Sequence, residues 1–197
     1  MKNITGGAII CAAIFGSGQV ALAETSNYDW SGAYAGITYS DVGGGMGTYI
    51  YSSNPGDAYS FDGTMAGIFG GYNFQKDRLV YGAELSWQAG KYNLVDTIEP
   101  HFNNMIDARA RIGYAADDVL LFGFVGASSG EWDNVNGLTN PRSTGVNYGI
   151  GVDFKVGERM MFGLEYIQRD MSVDFDGTQN SINKSFNAVQ LRAAYTF

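Results

Sequence analysis

The segment NNMIDARARIGYA, residues 103–115, sorts its residues by parity. Ile106, Ala108, Ala110, Ile112 and Tyr114 alternate with Asp107, Arg109, Arg111 and Gly113. A helix would spread these charges around its circumference, whereas a strand puts them all on one face. The terminal AVQLRAAYTF repeats the pattern, with Val189, Leu191, Ala193, Tyr195 and Phe197 against Gln190, Arg192 and Thr196. YNFQ, KDR and LVYGAELSWQAG read as two strands around a tight charged turn.

Eight such segments are expected, at roughly 31–40, 63–75, 79–90, 104–115, 119–129, 144–156, 160–171 and 185–197. Their apolar faces are read as Ala33/Ala35/Ile37/Tyr39, Ala66/Ile68/Tyr72, Leu79 to Trp87, and Ile106 to Tyr114. Then come Leu120/Phe122/Phe124, Val146 to Phe154, Phe162/Leu164/Tyr166, and Val189 to Phe197. None of these faces carries a charge. The opposite faces hold Glu84, Asp107, Arg109, Arg111, Asp153, Lys155, Glu165, Arg169 and Arg192.

The connections alternate as well. Those near 75–78, 115–118 and 156–159 are tight and polar, while 41–62, 91–103, 130–143 and 172–184 read as long loops rich in Gly, Asn, Ser and Asp. Short turns at one end and long loops at the other suit an eight-stranded antiparallel up-and-down transmembrane β-barrel. The fold class expected is therefore all-β. A soluble β-sandwich also alternates, with the faces reversed, but does not explain the long–short rhythm. In lipid every backbone donor and acceptor must be met within the protein, which a closed sheet achieves. An even strand number puts both termini at the short-turn end, expected to be periplasmic. Tyr72, Phe74, Tyr81, Tyr114, Phe154, Phe162, Tyr195 and Phe197 would form the interfacial girdle there, and Tyr39, Trp87 and Tyr166 a sparser outer one.

The amino end agrees with export. Lys2, the apolar run around Ile9–Phe15 and Ala21-Leu22-Ala23 have the layout of a signal peptide over residues 1–23, leaving 24–197 as the barrel. Cys11 follows Ile10, where a lipidation site would want a small residue. Removing the signal peptide takes away that cysteine and Lys2, leaving 11 basic residues against 20 acidic ones. Disulfides are thus excluded from the mature chain, and nucleic acid is not an expected partner.

Three stretches also resemble a known family. WSGAYAGITYS resembles the W-(S/T)-G-x-Y-x-G first strand of the OmpA-like outer-membrane β-barrel domain family of Gram-negative surface proteins. GIFGGYNFQ–LVYGAELSW and NYGIGVDF–GLEY resemble two of its hairpins. The resemblance implies an integral protein of the cell outer membrane with outer-membrane lipids around it. It also implies that Leu191, Tyr195 and Phe197 carry a signal read by the barrel-assembly machinery. Family members serve as structural, surface-binding or pore-like proteins, so no single activity follows.

An eight-stranded barrel is just wide enough for side chains to fill it. The inward acids Glu84, Asp107, Asp153 and Glu165 nearly balance the bases Arg109, Arg111, Lys155, Arg169 and Arg192. Such a set is read as a salt-bridged plug, with a narrow ion path lined by the same residues as the alternative. A third reading is an adhesin or ligand-binding barrel acting through its loops. Catalysis is not expected: the lone His101 falls in a loop, with Ser86 as its only candidate nucleophile. No metal or other cofactor is expected either. SVDFDGTQNSIN is similar to a calcium loop through Asp174 and Asp176, but Ser172 and Asn183 stand at its first and twelfth positions. Gly149 and Gly151 are taken to leave lumenal space beside arginines.

Overall fold

The alternating segments all become strands of one sheet. The computed structural model describes residues 29–51, 54–94, 101–133, 142–174 and 181–197. They form β1 (Gly32–Tyr51), β2 (Asn54–Lys76), β3 (Leu79–Leu94), β4 (His101–Ala116), β5 (Val119–Asp133), β6 (Arg142–Val156), β7 (Met160–Asp174) and β8 (Ser181–Thr196). Each strand pairs antiparallel with the next, and β1 returns to β8 from Tyr34↔Thr196 to Ile50↔Ser181, closing the barrel. The expected signal peptide, residues 1–23, lies outside the described residues, as does Asp176.

Three turns at one end are minimal. Lys76 pairs with Leu79, Ala116 with Val119, and Val156 with Met160. Such tight hairpins need a left-handed residue, supplied by Asp77 (φ 55°), Asp117 (φ 54°) and Gly157 (φ 67°). The other end differs from expectation, because the strands run on into the segments read as loops. β1 and β2 stay paired as far as Tyr51↔Asn54, and β8 flanks the same stretch of β1. Ladder bonds to neighbours on both sides override a Gly- and Asp-rich composition, since strand preference depends on context. His101 consequently opens β4 rather than sitting in a loop. Ser172, Val173 and Asp174 pair with Asn183, Ile182 and Ser181 as extended strand, which is not the backbone of a calcium loop.

The outer wall is apolar. Ile37, Ile68, Leu85, Ile112, Val125, Ile150, Leu164 and Leu191 are all exposed there. In water such a surface would drive association, whereas in hydrocarbon it is at home. The girdle rings are exposed beside the short turns. Phe74 stacks on Tyr81 with centroids 5.5 Å apart, and Tyr195 meets Phe197 edge-on at 5.2 Å.

One strand is turned over relative to the sequence reading. Leu120, Phe122 and Phe124 point into the barrel and are buried, while Leu121 and Val125 face outward. Both faces of β5 are apolar, so alternation alone held no information about its phase. The interior chemistry decides it.

Candidate functional site

The barrel interior is stacked in layers. At the short-turn end Trp30, Val80, Ala115, Leu120, Met161 and Ala194 form an apolar floor. At the other end Val42, Met65, Met105, Met171 and Phe186 are buried as an apolar roof. Between them lie the charged side chains of the central group.

The central group combines three guanidiniums with three carboxylates from five strands. Arg109 on β4 donates Nε to Glu84 Oε1 at 3.0 Å and Nη2 to both oxygens of Glu165, at 2.8 and 2.9 Å. Its Nη2 also bonds Glu84. Arg192 on β8 donates Nη2 to Glu84 Oε2 at 2.7 Å and bonds Glu165 through Nη1. Arg111 donates Nη2 to Asp153 Oδ2 at 2.6 Å and Nη1 to the Tyr34 hydroxyl at 3.2 Å, and Tyr34 donates in turn to Glu84 at 2.9 Å. Gln190 adds an amide bond to Glu165 at 3.1 Å. The group is formally neutral and buried throughout.

Aromatic rings cover the guanidinium faces that carboxylates leave bare. The Arg109 carbon lies 4.2 Å from the Phe124 centroid, that of Arg111 3.8 Å from Phe122, and that of Arg192 4.1 Å from Phe69. This is the reason for the phase of β5: its two inward phenylalanines sheathe the arginines of β4, an arrangement favoured where water is excluded. Gly149 and Gly151 make the room. A Cβ at Gly149 would lie 2.6 Å from the tip of Phe124, and one at Gly151 2.4 Å from the tip of Phe122. The space they leave beside the arginines is filled by the rings that cover them.

The remaining predicted residues stand apart from this group. Arg169 donates Nη2 to Asp107 Oδ2 at 2.6 Å, and Ser86, Ser128 and Asn147 hydrogen-bond the same carboxylate. Ser86 therefore serves Asp107 in the lumen. Lys155 lies beside the floor, where it bonds the Asp29 carbonyl and sits 5.1 Å from the Trp30 ring. Trp30 itself spans the short-turn end: its backbone N–H donates to Gln75 Oε1 at 2.6 Å and its indole N–H to the Asp117 carbonyl at 3.1 Å. Asp29 takes bonds from the Ser31 hydroxyl and backbone N–H, which hold its carboxyl below the usual range, and nearby Lys155 adds to this. Leu191, Tyr195 and Phe197 are exposed on the outer wall, and the Phe197 N–H donates to the Ala33 carbonyl at 2.9 Å.

Sequence reasoning missed Trp30, Tyr34, Phe69, Phe122 and Phe124 as parts of this network. Trp30 and Tyr34 stood only as letters of a strand motif. Phe122 and Phe124 had one usable signal, since they sit opposite Gly151 and Gly149 in register. A depression on the outer wall lined by Ile112, Leu121, Gly123, Ile150 and Leu164 is apolar and belongs to the lipid surface.

A closed eight-stranded barrel, greasy outside and charged inside, defines a transmembrane β-barrel. The chain belongs to the outer membrane protein beta-barrel domain family, whose model matches residues 8–197. It is similar to a 22 kDa outer membrane protein of Rhizobium leguminosarum bv. viciae, 28% identical over 174 residues, covering 85% of this chain and 78% of the relative. It is also similar to a 25 kDa outer-membrane immunogenic protein of Brucella canis, 28% identical over 145 residues, covering 71% of this chain and 64% of that protein. Among solved structures, OprG of Pseudomonas aeruginosa shares the fold with a TM-score of 0.52 at 10% identity, over 88% of this chain and 99% of that one. The protein is thus an outer-membrane barrel.

Proposed function

We propose that the protein is a closed, non-enzymatic structural barrel whose lumen is plugged by ion pairs. Its signal peptide, residues 1–23, is removed, both termini face the periplasm, and its long strand ends face outward. Leu191, Tyr195 and Phe197 present the C-terminal strand to the assembly machinery. The observation that carries the reading is the neutral Glu84–Asp153–Glu165–Arg109–Arg111–Arg192 group, buried between two apolar layers. Ions crossing the lumen would have to displace charges already paired with one another and desolvated. The extended ends of β1 and β2 are available for surface contacts, a role consistent with the immunogenic designation of the Brucella relative.

Proteoliposomes loaded with potassium test the plug. The unmodified barrel should release no more than empty vesicles do. Arg109→Ala combined with Arg111→Ala should leak and favour cations, because Glu84, Asp153 and Glu165 then lose most of their compensation. Rapid release through the unmodified barrel would favour the narrow channel instead.

A further inference from the structure

At two of the three short turns the last residue before the next strand is an arginine. Arg78 precedes β3 and Arg159 precedes β7. Each donates Nη1 to a tyrosine hydroxyl on the strand paired beyond it, Arg78 to Tyr114 of β4 at 2.9 Å and Arg159 to Tyr195 of β8 at 2.7 Å. The register is also the same, because Leu79 pairs with Tyr114 and Met160 with Tyr195. The guanidinium carbons lie 5.8 and 5.9 Å from the respective ring centroids. One construction thus occurs twice, at β3–β4 and β7–β8, on opposite sides of an eight-stranded barrel. The third turn lacks it: Asp118 precedes β5, and Val119 pairs with Phe154, which has no hydroxyl.

We propose that each Arg–Tyr pair binds the phosphate of an anionic phospholipid in the leaflet at the short-turn end. Both tyrosines stand on the lipid-facing wall one rung from a turn, at the depth where an aromatic girdle meets headgroups. A tyrosine hydroxyl at that depth holds the guanidinium in the plane of the phosphates. Arginine matches a phosphate with a planar fork of donors, which a lysine does not. The turns also carry Asp77 and Glu158, so diffuse positive charge does not provide the attraction. The held guanidinium does. The proposal rests on the membrane span and not on the plugged lumen, and it holds in a symmetric bilayer whichever end is periplasmic.

The test is native mass spectrometry of the barrel released from micelles doped equally with phosphatidylglycerol and phosphatidylcholine. Phosphatidylglycerol should be retained preferentially, by about fivefold per site. Arg78→Gln and Arg159→Gln should each remove one retained lipid, and together they should abolish the preference. Lys76→Gln, an equal loss of charge in the same turn, should leave it unchanged. Excess inorganic phosphate should not displace the lipid. The proposal is overturned by equal retention of the two lipids, by a Lys76→Gln loss matching that of Arg78→Gln, or by displacement with inorganic phosphate.

Discussion

Strands β4 and β5 are neighbours in one barrel and fill its interior in opposite ways. β4 sends Asp107, Arg109 and Arg111 inward, while β5 sends Leu120, Phe122 and Phe124. Their outer faces are alike, with Ala110 of β4 paired beside Val125 of β5. The inner faces depend on each other. Arginines buried without covering rings would leave bare guanidinium faces, and the rings without arginines would be an ordinary apolar core. The contrast teaches that this lumen is not simply the polar side of an alternating sheet. Carboxylates grip the guanidinium edges, and aromatic rings cover their faces.

The largest effect should come from breaking the grip. Glu84 accepts bonds from Arg109, Arg111 and Arg192 as well as from Tyr34. Glu84→Gln leaves those cations short of a buried partner, a change that costs about 3–5 kcal/mol. Urea unfolding from lipid vesicles measures it, and a loss below that of a surface substitution would contradict the network's role. Next come the outer faces. Ala110→Arg and Val125→Arg should each cost about 2–4 kcal/mol, as a lipid-facing arginine near the bilayer midplane does. A tolerated Val125→Arg beside a damaging Ala110→Arg would turn β5 over to the opposite phase.

A smaller effect sharpens the covering role. Phe122→Leu keeps an apolar side chain but removes the ring from Arg111, and about 1–2 kcal/mol should be lost. A cycle with Arg111→Met should show the two residues to be coupled, and additive effects would mean that the ring only fills space. The smallest effect lies outside the span. Ser31→Ala removes one bond that favours the Asp29 carboxylate, so its titration, followed by NMR, should move up towards the ordinary value. Because the folded carboxyl titrates low, its contribution exists above the unfolded value and fades as pH falls through the folded one. No upward movement would mean that the hydroxyl bond is not what holds it.

Most of the wall was legible because charge breaks the symmetry of a strand. Arg109 and Arg111 identify the inner face of β4, and Glu165 and Arg169 that of β7, since an unpaired charge is not tolerated in lipid. Leu120, Phe122 and Phe124 carry no such mark, and only the arginines across the pairing ladder settle their side. The nine charged residues read as inward are buried, but alternation does not show how they divide. Asp107 with Arg169 and Lys155 with Trp30 separate from the central group because strand register, which alternation does not report, sets their heights. The strand ends were missed because their pairing comes from neighbouring strands rather than from their own composition.

Single-channel recording of the unmodified protein in planar bilayers tests the plugged lumen most directly. With six charges paired in the central group and apolar layers above and below, the barrel should insert and show no steady conductance. A uniform, long-lived conductance from the unmodified chain would contradict the account, because ions would then be crossing a lumen that these side chains are held to fill.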